Sequence, residues 1–236
     1  MRLLLISNST NAGEAYLEYP MPYIDKFLTN ESMTAAFIPY AGVTIGYDDY
    51  TARVRERFES IGHKVISVHE VDNPAELIKS ADIIVVGGGN TWQLLKMTQE
   101  QGLIDIVRKE ALNGKPYVGW SAGSNMTCPT IKTTNDMPVV EPQTFDAFNL
   151  IPFQINPHYL DANPDGHAGE TREARIEEFI EVNREIFVLG LREGTMLLVE
   201  DGKMELIGGR PARLFKHNNE PVEYNPGSDM TFLLGS

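Results

Sequence analysis

Ser121 lies in the segment Gly119-Trp-Ser-Ala-Gly123, between an apolar run predicted as a strand and small residues predicted as the start of a helix. A Gly-x-Ser-x-Gly sequence in this context is typical of a nucleophile elbow, a strained turn that presents the serine hydroxyl above a sheet. The flanking residues must be small because a larger Cβ would collide with neighbouring backbone. At the helix start, the N–H of Ala122 could stabilise an oxyanion. The sequence therefore predicts acyl transfer at Ser121, against the alternative of an ordinary Gly-Ser-Gly turn.

Three glycines, residues 87–89, follow a second buried run and precede another helix start. A dinucleotide-binding loop would need a glycine where Trp92 stands, and the Gly-Lys-Ser/Thr of a P-loop is absent, so both phosphate-binding interpretations fail. We interpret Gly88 and Gly89 instead as N–H donors of an oxyanion hole beside Ser121. The alternative is a tight strand-to-helix turn.

A serine hydroxyl needs a base to take its proton, and histidine is the usual one. His158 follows an apolar run and a proline at a predicted strand end, and we favour it over the alternative of a structural histidine. His63, His69 and His217 lie beside turns or strand ends and are interpreted as surface residues. His167 lies in a loop rich in Gly and Asp.

A catalytic triad also needs a carboxylate that orients the histidine. Asp136 lies between Ser121 and His158 and so matches the serine, acid, histidine order of elbow hydrolases. Glu193 lies at a predicted strand end after His158 and is a rival. Either acid could instead be a solvated turn residue. We prefer Asp136 on chain order and keep Glu193 as the alternative.

The stretch 158–170 is rich in histidine and acidic residues, which raises the question of a metal. It begins like a calcium loop at Asp161, but Pro164 interrupts it and the twelfth position, which should be Glu, is Arg172. No HExxH or comparable spacing supports a two-histidine carboxylate site. We therefore expect neither a metal nor any other cofactor.

Arg172 lies in the first turn of a helix predicted over residues 170–183, where the helix dipole disfavours positive charge. A cation placed against this preference suggests a role in binding a substrate carboxylate. The alternative is a surface ion pair with Glu170 or Glu173.

The 236 residues are 42% hydrophobic and 22% charged, which favours one globular domain over residues 1–236. The net charge of −13 argues against nucleic-acid and anionic-membrane partners. A single cysteine, Cys128, excludes a disulfide framework. Since the apolar runs are too short for a signal peptide or a membrane span, we expect a cytoplasmic protein.

Strand-like and helical patterns alternate in the first half of the chain, as in repeated βαβ units. The predicted strands are residues 2–7, 34–39, 64–69, 82–86 and 116–120, and the predicted helices are residues 48–60, 90–99 and 170–183. Short strands follow at 187–191, 195–199, 204–207 and 213–215. The sequence predicts an α/β fold with a mostly parallel, flavodoxin-like sheet sandwiched by helices and extra short C-terminal strands.

These segments together resemble the peptidase E family, the α-aspartyl dipeptidases. The motifs occur in order over about residues 1–195 and are Ile38-Pro-Tyr-Ala-Gly-Val-Thr44, Gly87-Gly-Gly-Asn-Thr-Trp92, Gly119-Trp-Ser-Ala-Gly-Ser-Asn125, Cys128-Pro-Thr-Ile-Lys-Thr-Thr-Asn-Asp-Met-Pro138, Ile155-Asn-Pro-His158 and Gly169-Glu-Thr-Arg-Glu-Ala-Arg175. The resemblance implies a class I glutamine-amidotransferase-like fold with serine in place of cysteine.

The resemblance also implies a function, the cleavage of dipeptides with N-terminal aspartate. In this sequence it implies Ser121 as nucleophile, His158 as base and either Asp136 or Glu193 as acid. It further implies that Arg172 binds the aspartate side chain, and we take Asn90 as a second substrate-binding residue. The alternatives are a cyanophycinase-like enzyme, another small-molecule serine hydrolase and a non-catalytic binding protein. We expect a monomer or homodimer.

Overall fold

The computed structural model describes residues 1–28, 31–162 and 169–235. The strands of this part of the chain are β1 (Leu3–Ile6), β2 (Thr34–Ile38), β3 (Lys64–Ser67), β4 (Ile83–Val86), β5 (Tyr117–Trp120), β6 (Gln154–Asn156), β7 (Val188–Gly190), β8 (Thr195–Glu200), β9 (Lys203–Gly208), β10 (Ala212–Phe215) and β11 (Val222–Tyr224). The α-helices are α1 (Met21–Phe27), α2 (Tyr47–Glu59), α3 (Pro74–Ser80), α4 (Thr91–Glu100), α5 (Ile104–Leu112), α6 (Ala122–Asn125) and α7 (Arg172–Val182).

The larger of two sheets has its strands in the order β3-β2-β4-β5-β1-β8-β9. The five strands from β3 to β1 are mutually parallel, whereas β8 and β9 are antiparallel to their neighbours. Parallel neighbours require crossover connections, and the helices between these strands supply them. The predicted α/β fold with a mostly parallel sheet is confirmed.

Successive side chains of the central strands enter two different apolar cores, because side chains alternate between the faces of a sheet. On one face, Leu4 and Ile6 pack in a cluster that includes residues of α1 and α2. On the other face, Leu3 and Leu5 pack in a cluster with residues of α3, α4 and α5. Helices therefore cover both faces, which explains why β1, β4 and β5 are buried at every residue.

The smaller sheet has the order β11-β10-β7-β6, and β6 runs parallel to β7. Ile155 of β6 and Leu189 of β7 belong to the same core cluster as Leu3 and Leu5. The smaller sheet therefore shares a core with one face of the larger sheet. On its other side, Ile176 and Ile180 of α7 pack with Tyr159, Val188 and Phe215.

The registers place two pairs of strand ends side by side. Val86 at the end of β4 pairs with Gly119 of β5, so the loops after these strands are neighbours. Asn156 of β6 pairs with Gly190 of β7 in the same way. The carboxyl ends of parallel strands share one edge of a sheet, where α/β proteins bind ligands.

The predicted strands and helices occur within a few residues of their predicted bounds. The sequence patterns missed α1, α3, α5 and β11, and they did not separate the strands into two sheets. Among the helices of the described residues, none has the length and apolar character needed to cross a membrane.

Candidate active site

Ser121 forms a sharp turn between β5 and α6, with φ 52° and ψ −111°. Its N–H donates to the carbonyl of Ile6 at 2.9 Å, which ties the turn to β1. A Cβ on Gly123 would lie 2.2 Å from the carbonyl oxygen of Val86, and one on Gly119 would lie 2.8 Å from the carbonyl carbon of Gly123. The strained turn therefore depends on small neighbours, as the sequence predicted.

His158 follows β6, and its backbone is also left-handed, with φ 53°. Its Nε2 lies 2.9 Å from Oγ of Ser121, and its Nδ1 lies 2.8 Å from Oε1 of Glu193. An imidazole with its proton on Nδ1 satisfies both contacts, since it donates to the carboxylate and accepts from the serine hydroxyl. The three side chains have the connectivity of a serine hydrolase triad.

Two residues directly after β1 hold the histidine and glutamate turns. The hydroxyl of Ser7 accepts the N–H of His158 at 3.0 Å and donates to the carbonyl of Leu191 at 2.8 Å. Oδ1 of Asn8 accepts the N–H of Gly194, next to Glu193, at 2.8 Å. Ser7 and Asn8 are buried, so these hydrogen bonds are protected from water.

Asp136 makes a different set of contacts. Its Oδ2 accepts the N–H and the hydroxyl of Thr91 at 2.8 and 2.6 Å and the hydroxyl of Thr134 at 3.0 Å. Asp136 therefore binds the first turn of α4, where N–H groups lack partners within the helix. Contrary to the preference for Asp136 from chain order, His158 is hydrogen-bonded to Glu193, which lies there because β6 and β7 are adjacent and parallel.

The glycine loop after β4 lies directly against the serine. A Cβ on Gly88 would be 3.0 Å from Cβ of Ser121, and one on Gly89, where φ is 134°, would be 2.3 Å from the carbonyl oxygen of Ala41. Within the described part of the chain, the N–H groups of Gly88, Gly89 and Ala122 have no hydrogen-bond acceptor. They are therefore free to act as oxyanion donors.

Tyr50 of α2 fixes the orientation of this loop. Its hydroxyl donates to the carbonyl of Gly88 at 2.8 Å and accepts the Nε1–H of Trp120 at 3.3 Å. The carbonyl of Gly88 and the N–H of Gly89 belong to one planar trans peptide, in which they point in opposite directions. The hydrogen bond from Tyr50 therefore sets the direction of the Gly89 N–H.

Two cavities meet at Ser121, Asp136 and His158. The Arg172 cavity, of about 340 Å³, is also lined by Arg172 and Glu193. The Arg53 cavity, of about 530 Å³, is lined by the glycine loop and by residues of α2 and the loop before it. A substrate at Ser121 has room on two sides.

Arg172 is half-buried at the first position of α7. Burial lowers the pKa of its guanidinium from the ordinary value, and Arg175 lowers it further, whereas Asp136 raises it. Arg172 makes no ion pair or hydrogen bond with any residue described. The alternative of pairing with Glu170 or Glu173 is not found, since these acids pair with Arg175 at 3.8 Å and with Arg213 at 3.0 Å. The guanidinium is thus available to an anion in the cavity.

The amide of Asn90 is used within the protein. Its Oδ1 accepts the N–H of Gln93 at 3.1 Å and caps α4, and its Nδ2 donates to the carbonyl of Met137 at 2.8 Å. Asn90 lines the Arg53 cavity. Its role in substrate binding stays a prediction.

Three further histidines lie in the described part of the chain, and none of them lines the two cavities. The interpretation of His63 as a surface residue is wrong: it is buried, and its Nδ1 accepts the N–H of Met33 at 3.2 Å. His69 and His217 are largely covered and bind Asp48 and Glu181. His167 lies outside the described residues, as does part of the stretch considered for calcium.

The described residues contain no group of three His, Cys, Asp or Glu side chains placed to hold a metal ion. Cys128 is buried, and its Sγ accepts the N–H of Ile155 at 3.1 Å. Burial raises the pKa of this thiol to about 12, so it stays protonated.

Four residues of the site were not predicted from the sequence: Ser7, Asn8, Tyr50 and Arg53. Ser7 and Asn8 could have been predicted, because this polar pair directly follows a buried parallel strand, and site residues are common at such strand ends. Tyr50 and Arg53 could not have been predicted, since Tyr50 fits the apolar stripe of α2 and Arg53 fits its polar face.

Comparisons with known proteins identify the family of the chain. The family model "Peptidase family S51" matches residues 3–207. The chain is 51% identical over 233 residues to a Peptidase E of Nostoc sp., covering 99% of this chain and 96% of that protein. It is 48% identical over 227 residues to a Peptidase E of Escherichia coli, covering 96% of this chain and 99% of that protein.

Two solved structures share the fold. A putative peptidase E from Listeria monocytogenes has a TM-score of 0.65 at 23% identity, covering 88% of this chain and 98% of that one. A peptidase from an acI-B1 actinobacterium has a TM-score of 0.70 at 17% identity, covering 97% of this chain and 96% of that one. At these identities the likeness concerns the fold alone. From the family match and the relatives at about half identity, the chain belongs to peptidase family S51.

Proposed function

We propose that this S51 peptidase is a serine dipeptidase that cleaves dipeptides with N-terminal aspartate. The observation that carries the proposal is an unpaired arginine, Arg172, in a cavity that reaches the hydrogen-bonded chain from Ser121 through His158 to Glu193. The name Peptidase E of the relatives at about half identity supports peptidase activity.

In the proposed mechanism, Nε2 of His158 takes the proton of Ser121 as Oγ attacks the carbonyl carbon of the Asp-Xaa bond. The oxyanion accepts hydrogen bonds from N–H groups of Gly88, Gly89 and Ala122. His158 then donates its proton to the leaving amine, and the second residue departs. A water molecule, deprotonated by His158, attacks the acyl-serine and releases aspartate. Glu193 stabilises the imidazolium in both steps.

Arg172 supplies the selectivity for aspartate in this proposal. The protein carries a net charge of −13, so an acidic substrate is held only where a local cation outweighs that field. A half-buried guanidinium without a protein partner fulfils this requirement and can bind a carboxylate through two hydrogen bonds.

The test is hydrolysis of Asp-Leu, Glu-Leu, Asn-Leu and Ala-Leu by the wild-type protein, by Ser121→Ala and by Arg172→Gln, with and without a chelator. We expect cleavage of Asp-Leu only, no effect of the chelator and no turnover by Ser121→Ala. Arg172→Gln should lose on the order of 10²-fold or more in kcat/KM for Asp-Leu, since a substrate carboxylate is left unpaired.

Three outcomes contradict the proposal. Cleavage of β-linked Asp-Arg polymer in preference to Asp-Leu would indicate a cyanophycinase-like enzyme. Ester hydrolysis indifferent to Arg172→Gln would indicate a different small-molecule hydrolase. Ligand binding without turnover, unchanged in Ser121→Ala, would indicate a non-catalytic relative.

A further inference from the structure

The Arg53 cavity has no assigned ligand. It shares Ser121, Asp136 and His158 with the Arg172 cavity, but the rest of its lining is different. A dipeptide bound at Ser121 places its two residues on different sides of the scissile bond. If the aspartyl residue occupies the Arg172 cavity, the Arg53 cavity is the space for the leaving residue.

Arg53 is a cation without a carboxylate partner in this cavity. Seven of the eleven arginines form ion pairs, and within the described part of the chain the four that form none are Arg53, Arg57, Arg172 and Arg210. Of these four, Arg53 lines one of the two cavities that meet at Ser121, and Arg172 lines the other. Arg55, two residues along α2, is instead neutralised by Glu70 at 2.9 Å.

Tyr16 adds a second donor to the same cavity. Its hydroxyl oxygen is buried and finds no hydrogen-bond partner among the described residues. Burial and the neighbouring Tyr50 raise the pKa of this hydroxyl well above its usual value, so it stays protonated and can donate. Trp120 and the nearby charge of Arg53 act on this pKa in the opposite direction. An unpaired guanidinium beside an unpaired hydroxyl is a suitable environment for a carboxylate.

We propose that Arg53, assisted by Tyr16, binds the free α-carboxylate of the leaving residue and so makes the enzyme prefer dipeptides. This inference rests on the proposed function, which places aspartate at Arg172. A dipeptide carries its C-terminal carboxylate on the residue after the scissile bond. A longer peptide has a neutral amide there and forms no ion pair with Arg53.

The experiment compares kcat/KM for Asp-Leu and for Asp-Leu amide, which differ only in this carboxylate. We expect the wild-type enzyme to prefer the free acid by on the order of ten-fold, a modest factor because Arg53 is exposed to solvent. In Arg53→Gln the ratio of kcat/KM for the acid to kcat/KM for the amide should fall towards one. This change should come from a higher KM for the acid, with little change for the amide. Tyr16→Phe should reduce the preference in part.

Arg57→Gln is the matched control. It removes the same charge from the same helix, but Arg57 does not line the cavity, so it should keep the wild-type ratio. The preference of the wild-type enzyme should also weaken with added salt, since Arg53 is exposed.

Two results overturn this inference alone: an acid-to-amide ratio in Arg53→Gln equal to that of the wild type, or a change in Arg53→Gln confined to discrimination between Asp-Leu and Asn-Leu. The second result would assign Arg53 to the aspartyl side chain. Failure of the wild-type protein to cleave Asp-Leu at all would overturn the proposed function, and this inference with it.

Discussion

Nδ1 of His158 lies 2.8 Å from Oε1 of Glu193, although the two residues are 35 positions apart in the chain. Each follows a strand of the smaller sheet, and the parallel pairing of Asn156 with Gly190 brings their turns together. The main chain of both turns is held by hydrogen bonds to Ser7 and Asn8. The orientation of the histidine is therefore fixed both from its ring and from its backbone.

The first prediction concerns Glu193→Gln. An amide cannot stabilise the imidazolium and does not enforce the tautomer with its proton on Nδ1, so we expect kcat to fall about 10³- to 10⁴-fold. Steady-state kinetics with Asp-Leu would measure this. Asp136→Asn is the comparison. Because Asp136 binds Thr91 and Thr134, this substitution should lower the Tm more than Glu193→Gln does and lower kcat less. The reverse ranking in kcat would return the acid role to Asp136.

Tyr50→Phe should lower kcat about 10- to 100-fold with a smaller change in KM. The substitution keeps the buried ring but removes the donor to the carbonyl of Gly88, so the Gly89 N–H loses its fixed direction. Complete loss of an oxyanion donor costs about 10²–10³ in turnover, and a misdirected one should cost less. A kcat effect of this kind separates positioning from simple loss of stability.

The control for this prediction is Tyr47→Phe on the same helix. Among the described residues, the hydroxyl of Tyr47 has no hydrogen-bond partner, and its ring packs against Tyr40 and His69. Turnover should stay near that of the wild type. A fully active Tyr50→Phe enzyme would mean that the glycine loop keeps its orientation without Tyr50.

Gly123→Ala should destabilise the protein by about 1–3 kcal/mol or more, because its Cβ would lie 2.2 Å from the carbonyl oxygen of Val86 and would force β4 away from the nucleophile turn. Urea unfolding followed by circular dichroism would measure the change. Gly209→Ala is the matched control, since a Cβ there meets no atom within 4 Å, and it should change stability by less than about 0.5 kcal/mol. Equal stabilities of the two variants would contradict the packing argument.

Glu223→Gln should lower stability at neutral pH and have little effect in acid. Hydrogen bonds from Arg192, at 2.8 and 2.9 Å, hold the pKa of Glu223 below its ordinary value, and Arg213 contributes to this. A carboxylate with a lowered folded-state pKa stabilises the protein above its unfolded pKa of about 4.3, and this stabilisation is lost as the pH falls through the folded value.

The measurement is thermal unfolding of the wild type and Glu223→Gln at a series of pH values from about 7 to about 3. The difference in Tm should be largest at neutral pH and shrink below about pH 4. A difference that stays constant over the series would mean that Glu223 acts through packing and not through its charge.

The sequence was most informative where local chemistry and local structure coincide. The central strands of the larger sheet are buried on both faces, so their apolar runs stand out, and Ser121 directly follows one of them. His158 comes two residues after β6, a buried strand of the smaller sheet. Two of the three missed helices, α1 and α3, are only seven residues long and carry proline in their first turn, which leaves little periodic signal.

The partner of His158 could not be predicted because chain order says nothing about which strands become neighbours. Asp136 is closer to His158 in the chain, but its carboxylate binds the first turn of α4. The pairing of β6 with β7 instead places Glu193 beside His158. The same limit applies to Arg53, whose position beside Ser121 depends on how α2 packs against the larger sheet.

The nucleophile follows a strand of the larger sheet, whereas the base and the acid follow strands of the smaller one. The 2.9 Å contact between Ser121 and His158 therefore joins two sheets that also share an apolar core and the hydrogen bonds of Ser7. Turnover therefore depends on how the two sheets pack against each other, because a small shift of one sheet would lengthen the contact between the nucleophile and the base. An inhibitor that is covalently bound to Ser121 and hydrogen-bonded to His158 would therefore link the larger sheet to the smaller one.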